Sequence, residues 1–428
     1  NFGATGSASW VTTVKTSTFT AVAGEGYFIN TTGGVVSVNL PAGTAGAVVA
    51  IKDYAGTFDT NKVTLVQNGS DKIGGSTVNS NLDVEGIAVT LVFIDSTQGW
   101  LVTDSGLQSE APTAQYVTAT GGNTTVTCGN FKTHIFTGPG TLCVSSAGNP
   151  AGSTTVDYLV AAGGGGGGTA QGGGGGAGGF RVSNSYSIPA PTMSPLSSPT
   201  GLPVSVQGYG IVIGAGGATG SLPSGNGTAG TVSTFSTITS AGGGGGRGCG
   251  INTGFSGGSG SGGKGGPTPT SGYCGGAGNT PPVSPPQGNN GGKGYDGRSV
   301  STNGGGGGGA GAVGANAANQ QGGTGGNGSF IADGFINPTS PSYGTPGPVA
   351  STRFFAGGGG GASCSNPAPN RALGGAGGGG NAAVNPSSNA VAGTINTAGG
   401  GGGGAGNPSS TGALGGSGIV MIRYKFQN

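Results

Sequence analysis

The sequence predicts all-β structure in its N-terminal part, followed by a polyglycine II helix bundle capped by short β-strands, with essentially no α-helix. Two observations indicate this fold class. Of the 108 glycines, 22 lie in residues 1–162 and the other 86 in residues 163–428. Only 32% of the residues are hydrophobic and 6% are charged, so a conventional apolar core cannot fill the whole chain. We therefore expect two regions, one stabilised by an apolar core and the other stabilised in a different way.

The sequence of residues 1–105 predicts a small all-β module. Short runs of β-branched and aromatic residues alternate with turn sequences such as 68–69 and 74–75. The predicted strands are Trp10–Val14, Tyr27–Ile29, Val35–Leu40, Val48–Asp53, Val63–Gln67, Val89–Asp95 and Trp100–Thr103. The carboxylates of this region fall mainly at strand ends and turns, which favours solvated turn residues over catalytic or calcium-binding ones.

Residues 115–162 predict a second β segment that caps the glycine-rich region. The segment contains an expected hairpin, with Lys132–Thr137 and Thr141–Ser145 turning at 138–140. Its last predicted strand, 156–162, leads directly into six glycines. The same junction recurs before the runs 242–246, 357–361 and 399–404, so a short strand followed by a glycine run is the repeating unit of residues 163–428.

Runs of five or six glycines are flexible unless something offsets their high ordering entropy. A bundle of polyglycine II helices does so, because each extended helix has three residues per turn and points its N–H and C=O groups outward. Without side chains, neighbouring helices approach closely enough for these groups to bond one another. The similar run lengths favour one bundle, and the C-terminal strand 419–426 is expected to return to the cap and close it.

Chain direction predicts which loops lie at each end of such a bundle. If strands share one cap, each run that leaves it ends in a loop at the far tip. Because runs alternately leave the cap and return to it, the loops expected at the tip are 169–171, 218–226, 247–256, 315–321, 362–373 and 405–413. The loops expected near the cap are 180–205, 329–352 and 381–394.

Composition argues against several classes of function. Residues 163–428 carry nine Lys/Arg against two Asp/Glu, which is too sparse for a nucleic-acid surface. No stretch is apolar enough for membrane insertion. The lone His134 cannot build a metal site, and no nucleophile elbow or carboxylate pair indicates an enzyme, so we expect no catalytic residues, metal or cofactor. Five cysteines leave at least one thiol unpaired, and the disulfide candidates are Cys128, Cys143, Cys249 and Cys364.

Several motifs, in the same order along the chain, resemble the glycine-rich tail-fibre proteins of bacteriophages. They are Thr133–Thr141, Val156–Val160 before poly-Gly, Gly176–Arg181, Ser233–Ser240 before poly-Gly, and Gly415–Tyr424. The N-terminal motifs Ala23–Phe28 and Lys52–Phe58 are similar to a module of such fibres. The resemblance implies a distal tail adhesin of the polyglycine II sandwich type, located in the virion and extracellular. It implies that the partners are a bacterial surface receptor and other tail-fibre or baseplate proteins. It also implies that the protein is a homotrimer.

Receptor contact is expected at the tip loops, through a surface glycan or an outer-membrane protein. Amides and an aromatic face suit hydroxyl-rich glycans, and arginine suits phosphate or carboxylate. The candidate residues are Asn226, Arg247, Asn252, Phe255, Asn316, Asn319, Gln320, Asn366, Arg371 and Asn407. The alternatives are a purely structural virion fibre or extracellular filament protein, and an antifreeze protein.

Overall fold

The computed structural model describes residues 8–107, 114–220, 225–248, 253–266, 273–296, 302–336, 343–363, 371–384, 388–405 and 410–428. The chain divides into two compact units, Asn1–Thr113 and Ala114–Asn428. The described residues are nearly all strand or extended chain. One helix of four residues, α1 (Asp333–Ile336), occurs among them.

The first unit consists of two β-sheets. Its strands are β1 (Ser9–Lys15), β2 (Phe19–Thr20), β3 (Glu25–Ile29), β4 (Val36–Asn39), β5 (Val48–Asp53), β6 (Val63–Val66), β7 (Ser80–Leu82), β8 (Ile87–Phe93) and β9 (Trp100–Leu107). One sheet has the order β1-β3-β5-β8-β9 and the other the order β2-β4-β6-β7. Strands β1 to β6 alternate between the sheets, and those within each sheet are parallel. The chain therefore coils between two sheets, with one apolar core.

All seven predicted strands of this unit are confirmed, with β5 at its predicted bounds. Two short strands, β2 and β7, were not predicted because neither carries an alternating apolar pattern. The interpretation of Asp53 as a solvated turn residue is wrong, since its side chain is only 3% exposed. Its carboxylate accepts the backbone N–H groups of Gly56, Phe58 and Gly86 at 3.0, 3.2 and 2.9 Å. A buried carboxylate needs such donors, so Asp53 organises two loops.

The second unit begins with a β-sandwich that forms the cap. Its strands are β10 (Val117–Thr120), β11 (Thr124–Cys128), β12 (Phe131–Phe136), β13 (Gly140–Ala147), β14 (Thr155–Ala161), β15 (Phe180–Ser183), β16 (Ser197–Ser198), β17 (Leu202–Pro203), β18 (Gly208–Val212), β19 (Ser233–Phe235), β20 (Ile238–Ser240), β21 (Ser329–Ala332), β22 (Thr352–Phe355) and β23 (Ile419–Lys425). The larger sheet has the order β11-β12-β23-β14-β15-β16, with β17 on β14. The second has the order β10-β13-β18-β19-β20, and β21 pairs with β22.

The expected hairpin between 132–137 and 141–145 is wrong. Strand β12 pairs with β11 and β23 in the larger sheet, whereas β13 pairs with β10 and β18 in the other. The chain crosses between sheets because Phe136 and Leu142, on either side of the turn, both pack into the core between the two sheets. The C-terminal strand β23 lies between β12 and β14, so it completes the centre of the larger sheet.

Glycine runs extend from this cap and bond one another through their backbones. In the run 163–168 the amides of Gly163 and Gly166 both donate to the segment 225–231, so the bonding repeats every three residues. The amides and carbonyls of this run together reach six segments. The six are 172–176, 214–220, 225–231, 242–246, 399–404 and 410–418. A run with six bonded neighbours satisfies its polar groups without an apolar core.

Four further runs, 172–177, 304–309, 357–362 and 399–404, are bonded in the same way. No glycine in these five runs adopts the left-handed region of φ. A Cβ atom added at Gly163, Gly165 or Gly167 would lie 1.9 to 2.1 Å from a carbonyl oxygen of a neighbouring segment. Glycine is therefore required in these runs because the segments lie too close together for any side chain, and not because of backbone conformation.

The runs share a far end, opposite the cap. Three backbone hydrogen bonds join the ends of the runs there. The N to O distances are 3.1 Å from Gly172 to Gly404, 3.0 Å from Ala362 to Gly172 and 2.8 Å from Gly404 to Gly168. The segments 225–226, 247–248, 318–322 and 405 lie at this far end through their bonds to these runs or to each other.

The expected position of the loop 381–394 near the cap is wrong for its described residues 381–384, which lie towards the far end. The chain already reverses at the cap within 376–378, where Gly377 and Gly378 have φ values of 102° and 87°. The segment 379–383 then runs to the far end, where Ser363 forms a bridge with Val384. A turn this tight inside a glycine-rich stretch has no sequence signal that distinguishes it from an uninterrupted run.

Candidate functional site

Seven of the ten candidate receptor-contact residues lie among the described residues. They are Asn226, Arg247, Phe255, Asn316, Asn319, Gln320 and Arg371. The other three, Asn252, Asn366 and Asn407, lie outside the described residues. The seven are at or near the far end, but they do not form one cluster.

The structure brings Asn226, Arg247 and Phe255 together. Arg247 directly follows the run 242–246, and its guanidinium carbon lies 3.6 Å from the centroid of the Phe255 ring. Its Nε donates to the carbonyl of Thr253 at 2.9 Å, which fixes the stack. Asn226 Oδ1 accepts the N–H of Gly248 at 3.0 Å. This group, called the Arg247 cluster below, holds a cation on an aromatic face at the far end.

Partial burial lowers the pKa of the Arg247 guanidinium, but the group stays charged because free arginine titrates far above neutral pH. Phe255 is 37% exposed, so one part of the ring remains open to solvent. A guanidinium that has lost some of its water shell binds phosphate or carboxylate oxygens more strongly than a fully hydrated ammonium does. The Arg247 cluster is thus suited to an anionic ligand.

Asn316, Asn319 and Gln320 lie on an exposed turn at the far end. Asn316 Oδ1 accepts the N–H of Lys293 at 2.8 Å, so its amide holds a neighbouring segment in place. Gln320 has a φ of 61°, which a residue with a side chain rarely adopts. The turn is therefore held by its own contacts, with Gln320 exposed at its tip.

Arg371 has a structural role that the sequence did not indicate. Its Nε donates to the carbonyl of Ala382 at 2.7 Å, and one terminal nitrogen donates to the carbonyl of Asn389 at 2.6 Å. The guanidinium fork therefore joins three segments of the chain at the far end. Its remaining N–H groups and its charge still contribute to the surface.

Two basic residues at the far end were missed by sequence reasoning. Lys264 precedes Gly265, whose amide donates to the carbonyl of Gln171. Lys293 is exposed and precedes Gly294. Among the described residues the far end carries Arg247, Lys264, Lys293 and Arg371 against Asp296 alone, which is 4 − 1 = 3 net positive charges. Once the runs are aligned, lysines that directly follow outgoing segments can be assigned to this end.

The cysteines and acidic groups offer no metal site among the described residues, where no three His, Cys, Asp or Glu side chains gather. Cys128 and Cys143 were disulfide candidates, but each is a free thiol, as is Cys274. They lie on β11 and β13, which belong to different sheets, so the structure does not join these two candidates to each other. Cys249 and Cys364 lie outside the described residues.

His134 is buried in the cap and bonded on both sides. Its Nδ1–H donates to the carbonyl of Gly121 at 2.6 Å, and Tyr424 Oη donates to Nε2 at 3.0 Å. Burial lowers the pKa of His134 and raises the pKa of Tyr424 to about 12. The pair is a satisfied core contact between β12 and β23.

A buried ion pair lies next to it in the same sheet. Arg423 Nη1 is 4.0 Å from Asp157 Oδ2, with the two side chains 5% and 0% exposed. The guanidinium carbon lies 3.6 Å from the centroid of Phe131. Asp157 accepts hydrogen bonds from the Ser183 and Ser185 hydroxyls at 2.8 and 2.9 Å. The pair thereby joins β14, β15 and β23.

The chain belongs to the family described as "Glycine-rich domain", whose model matches residues 139–425, about two thirds of the sequence. It is also 39% identical over 79 residues to the baseplate wedge protein gp10 of Enterobacteria phage T4. That similarity covers 18% of this chain and 13% of the relative. No helix in the described part of the chain is long and apolar enough to cross a membrane. The comparisons therefore show a glycine-rich domain family over residues 139–425 and a local similarity to a phage baseplate protein.

Proposed function

We propose that the glycine runs form a polyglycine II bundle and that this bundle is a rigid scaffold for binding loops. The bonding pattern repeats every three residues, as expected for helices with three residues per turn. The six bonded neighbours of the run 163–168 correspond to the six directions in which two turns of such a helix point their N–H and C=O groups.

On this scaffold the protein acts as a bacteriophage tail-fibre adhesin that recognises the bacterial surface through the far end. The observation that carries this proposal is the Arg247 cluster, in which a stacked guanidinium and a partly exposed ring stand on a glycine scaffold. Functional residues are often found on loops that a rigid scaffold positions. The similarity to a phage baseplate protein supports a location in the virion.

The far end favours an anionic ligand over a neutral one. Among the described residues four cations there outweigh one carboxylate, and the net positive charge attracts phosphate or carboxylate groups, which bacterial surface glycans carry. The amides of the exposed turn at Asn316 and Gln320 can bond sugar hydroxyls. The binding is recognition without catalysis, and the partners are a host receptor and other tail-fibre or baseplate proteins, in a homotrimeric fibre.

A structural role without receptor binding is the second candidate. The observation that favours it is the similarity to a baseplate component. In that case the far-end charges would contact another virion protein, and no bacterial surface would bind the isolated chain.

The test measures binding of the full chain to a panel of bacterial cells that differ in surface phosphate and acidic sugars. The variant Arg247→Ala with Phe255→Ala removes the Arg247 cluster. The matched control is Arg181→Ala, which removes a guanidinium at the cap, where its terminal nitrogen makes one 3.4 Å bond to Thr239. Hydrogen exchange of the glycine runs verifies that each variant is folded.

We expect selective binding that weakens at least tenfold in the double variant, falls with salt and persists in the control. Folded protein that binds none of the cells would contradict the adhesin proposal and favour the structural role. Binding that survives in the double variant would place the receptor contact elsewhere.

A further inference from the structure

The first unit contains a cavity of about 580 Å³ on the outer side of its five-stranded sheet. The lining residues are Phe28, Lys52, Asp53, Tyr54, Gly56, Glu85, Gly86 and Leu107. Phe28 and Lys52 are register partners on β3 and β5, so the floor of the cavity is regular sheet. Its volume falls within the range of about 300–1,000 Å³ that is typical of small-molecule sites.

The two loops that form the walls are fixed by hydrogen bonds to Asp53 and Lys52. Asp53 accepts N–H groups from both loops, at Gly56 and at Gly86. Lys52 Nζ donates to the carbonyl of Gly86. Asp53 and Lys52 therefore hold the walls together, and the cavity exists before any ligand arrives.

Two groups at the cavity remain available for a ligand. Tyr54 is 58% exposed, which leaves much of the apolar surface of a large aromatic ring in contact with water. The exposed Glu85 carboxylate and the Tyr54 hydroxyl make no hydrogen bond to the described residues. Phe28 adds a half-buried ring that packs on Trp10 at 4.9 Å between centroids.

We propose that this cavity is a saccharide-binding site for a neutral sugar residue. The rings of Tyr54 and Phe28 offer apolar faces for the C–H groups of a pyranose, and the Glu85 carboxylate can accept two vicinal hydroxyls. Backbone atoms at Gly56 and Gly86 leave the rim open, because neither residue carries a side chain.

The charges of the cavity favour a neutral ligand over an anionic one. Lys52 is already bonded to a backbone carbonyl, and the carboxylates of Asp53 and Glu85 lie on the same walls. A phosphate or an acidic sugar would meet a net negative charge. This site therefore differs in ligand class from the basic far end of the second unit, and neither proposal depends on the other.

The test uses saturation-transfer NMR on the full chain with the methyl glycosides of glucose, galactose, mannose and N-acetylglucosamine as probes. Tyr54→Ala removes the exposed ring, and Glu85→Gln removes the charge while keeping the shape. Asp59→Asn is the matched control, because Asp59 is an exposed carboxylate near the same loop that does not line the cavity. Tryptophan emission verifies folding, because both tryptophans lie in this unit and Trp100 is buried in its core.

We expect saturation transfer to at least one of the four glycosides, with apparent affinity reduced about fivefold or more in Tyr54→Ala and Glu85→Gln and unchanged in Asp59→Asn. The absence of transfer to all four probes would overturn the proposal. Transfer that both cavity variants leave unchanged would overturn it as well, since the sugar would then bind elsewhere.

Discussion

A single methyl group placed inside the glycine scaffold should destabilise the second unit. In Gly165→Ala the new Cβ would lie 2.1 Å from the carbonyl oxygen of Gly244 and 2.9 Å from that of Gly243. Both atoms are backbone, so no side-chain rotation relieves the contact. An ordinary separation of about 3.5 Å would require the two runs to move about 1.4 Å apart.

That displacement sets the size of the effect. The two runs are joined by bonds from Gly243 to Gly163 and from Gly246 to Gly166, of 2.9 and 2.7 Å between N and O. Their loss removes about 1–3 kcal/mol, and the strain of overpacking adds about 1–3 kcal/mol. The lower entropy of unfolded alanine offsets about 0.4–1 kcal/mol. The expected net loss in the free energy of unfolding is about 3 kcal/mol.

The measurement is differential scanning calorimetry of the full chain. Both tryptophans, Trp10 and Trp100, lie in the first unit, so tryptophan emission assigns that unit's transition and leaves the other for the second unit. We expect the second transition to fall by about 4–5 °C in Gly165→Ala, because the unfolding entropy grows with the length of this unit. Gly210→Ala is the control, since Gly210 is exposed on β18 with no atom within 4 Å of an added Cβ. Equal melting of the two variants would refute the close packing of the runs.

Three further predictions concern buried polar groups. Because the pKa of Tyr424 is about 12 in the folded protein and near 10 when unfolded, only the unfolded chain ionises between these values, and the second unit should lose about 2–3 kcal/mol as pH rises from 10 to 12. Tyr424→Phe should remove most of this slope in denaturation curves. Asp53→Ala leaves backbone donors of two loops unpaired, so urea denaturation followed by Trp100 emission should show a loss of about 2–4 kcal/mol, and a loss below about 0.5 kcal/mol would contradict the role of Asp53. Arg423→Met leaves Asp157 buried without its cation but with its hydrogen bonds from Ser183 and Ser185, and should cost about 1–3 kcal/mol, whereas an unchanged calorimetric transition would show that the pair is dispensable.

The strands of the first unit could be predicted because their apolar residues alternate and turn residues separate them. Val36–Asn39 illustrates this, since Val36 and Val38 are buried in the core while Ser37 and Asn39 between and after them are only partly buried. Phe19–Thr20 and Ser80–Leu82 are too short to carry a period and exist through pairing with distant strands. The burial of Asp53 also depends on Gly86, which is 33 residues away.

The pairing of β12 and β13 with different sheets could not be predicted from local pattern. A Gly-Pro-Gly turn between two apolar strands is compatible with a hairpin and equally with a crossing between sheets. The choice is made by β23, about 290 residues further on, which occupies the place beside β12. In the glycine-rich region, the similar lengths of the runs predicted that the runs associate with one another. The tight reversal at Gly377 and Gly378 could not be predicted, because the composition there is uniform.

Only part of the candidate site could be predicted, because its contacts also depend on residues that are distant in the sequence. Arg247 could be placed at the far end because it directly follows an outgoing run, but its stacking on Phe255 depends on the loop that joins them. Arg371 was assigned to ligand contact from its charge and from the predicted position of its loop at the tip, and its bonds to Ala382 and Asn389 depend on the unpredicted reversal.

The central claim is that the glycine runs are an ordered, mutually bonded scaffold. Hydrogen exchange with mass spectrometry tests it most directly, on the peptide 160–179 that cleavage at Leu159 and Phe180 releases. Its amides 162–169 and 172–179 all donate to backbone carbonyls. We predict that these sixteen amides exchange at least about a thousandfold more slowly than those of an unfolded chain. Exchange at the unfolded rate would show that the runs are flexible linkers and would contradict the account.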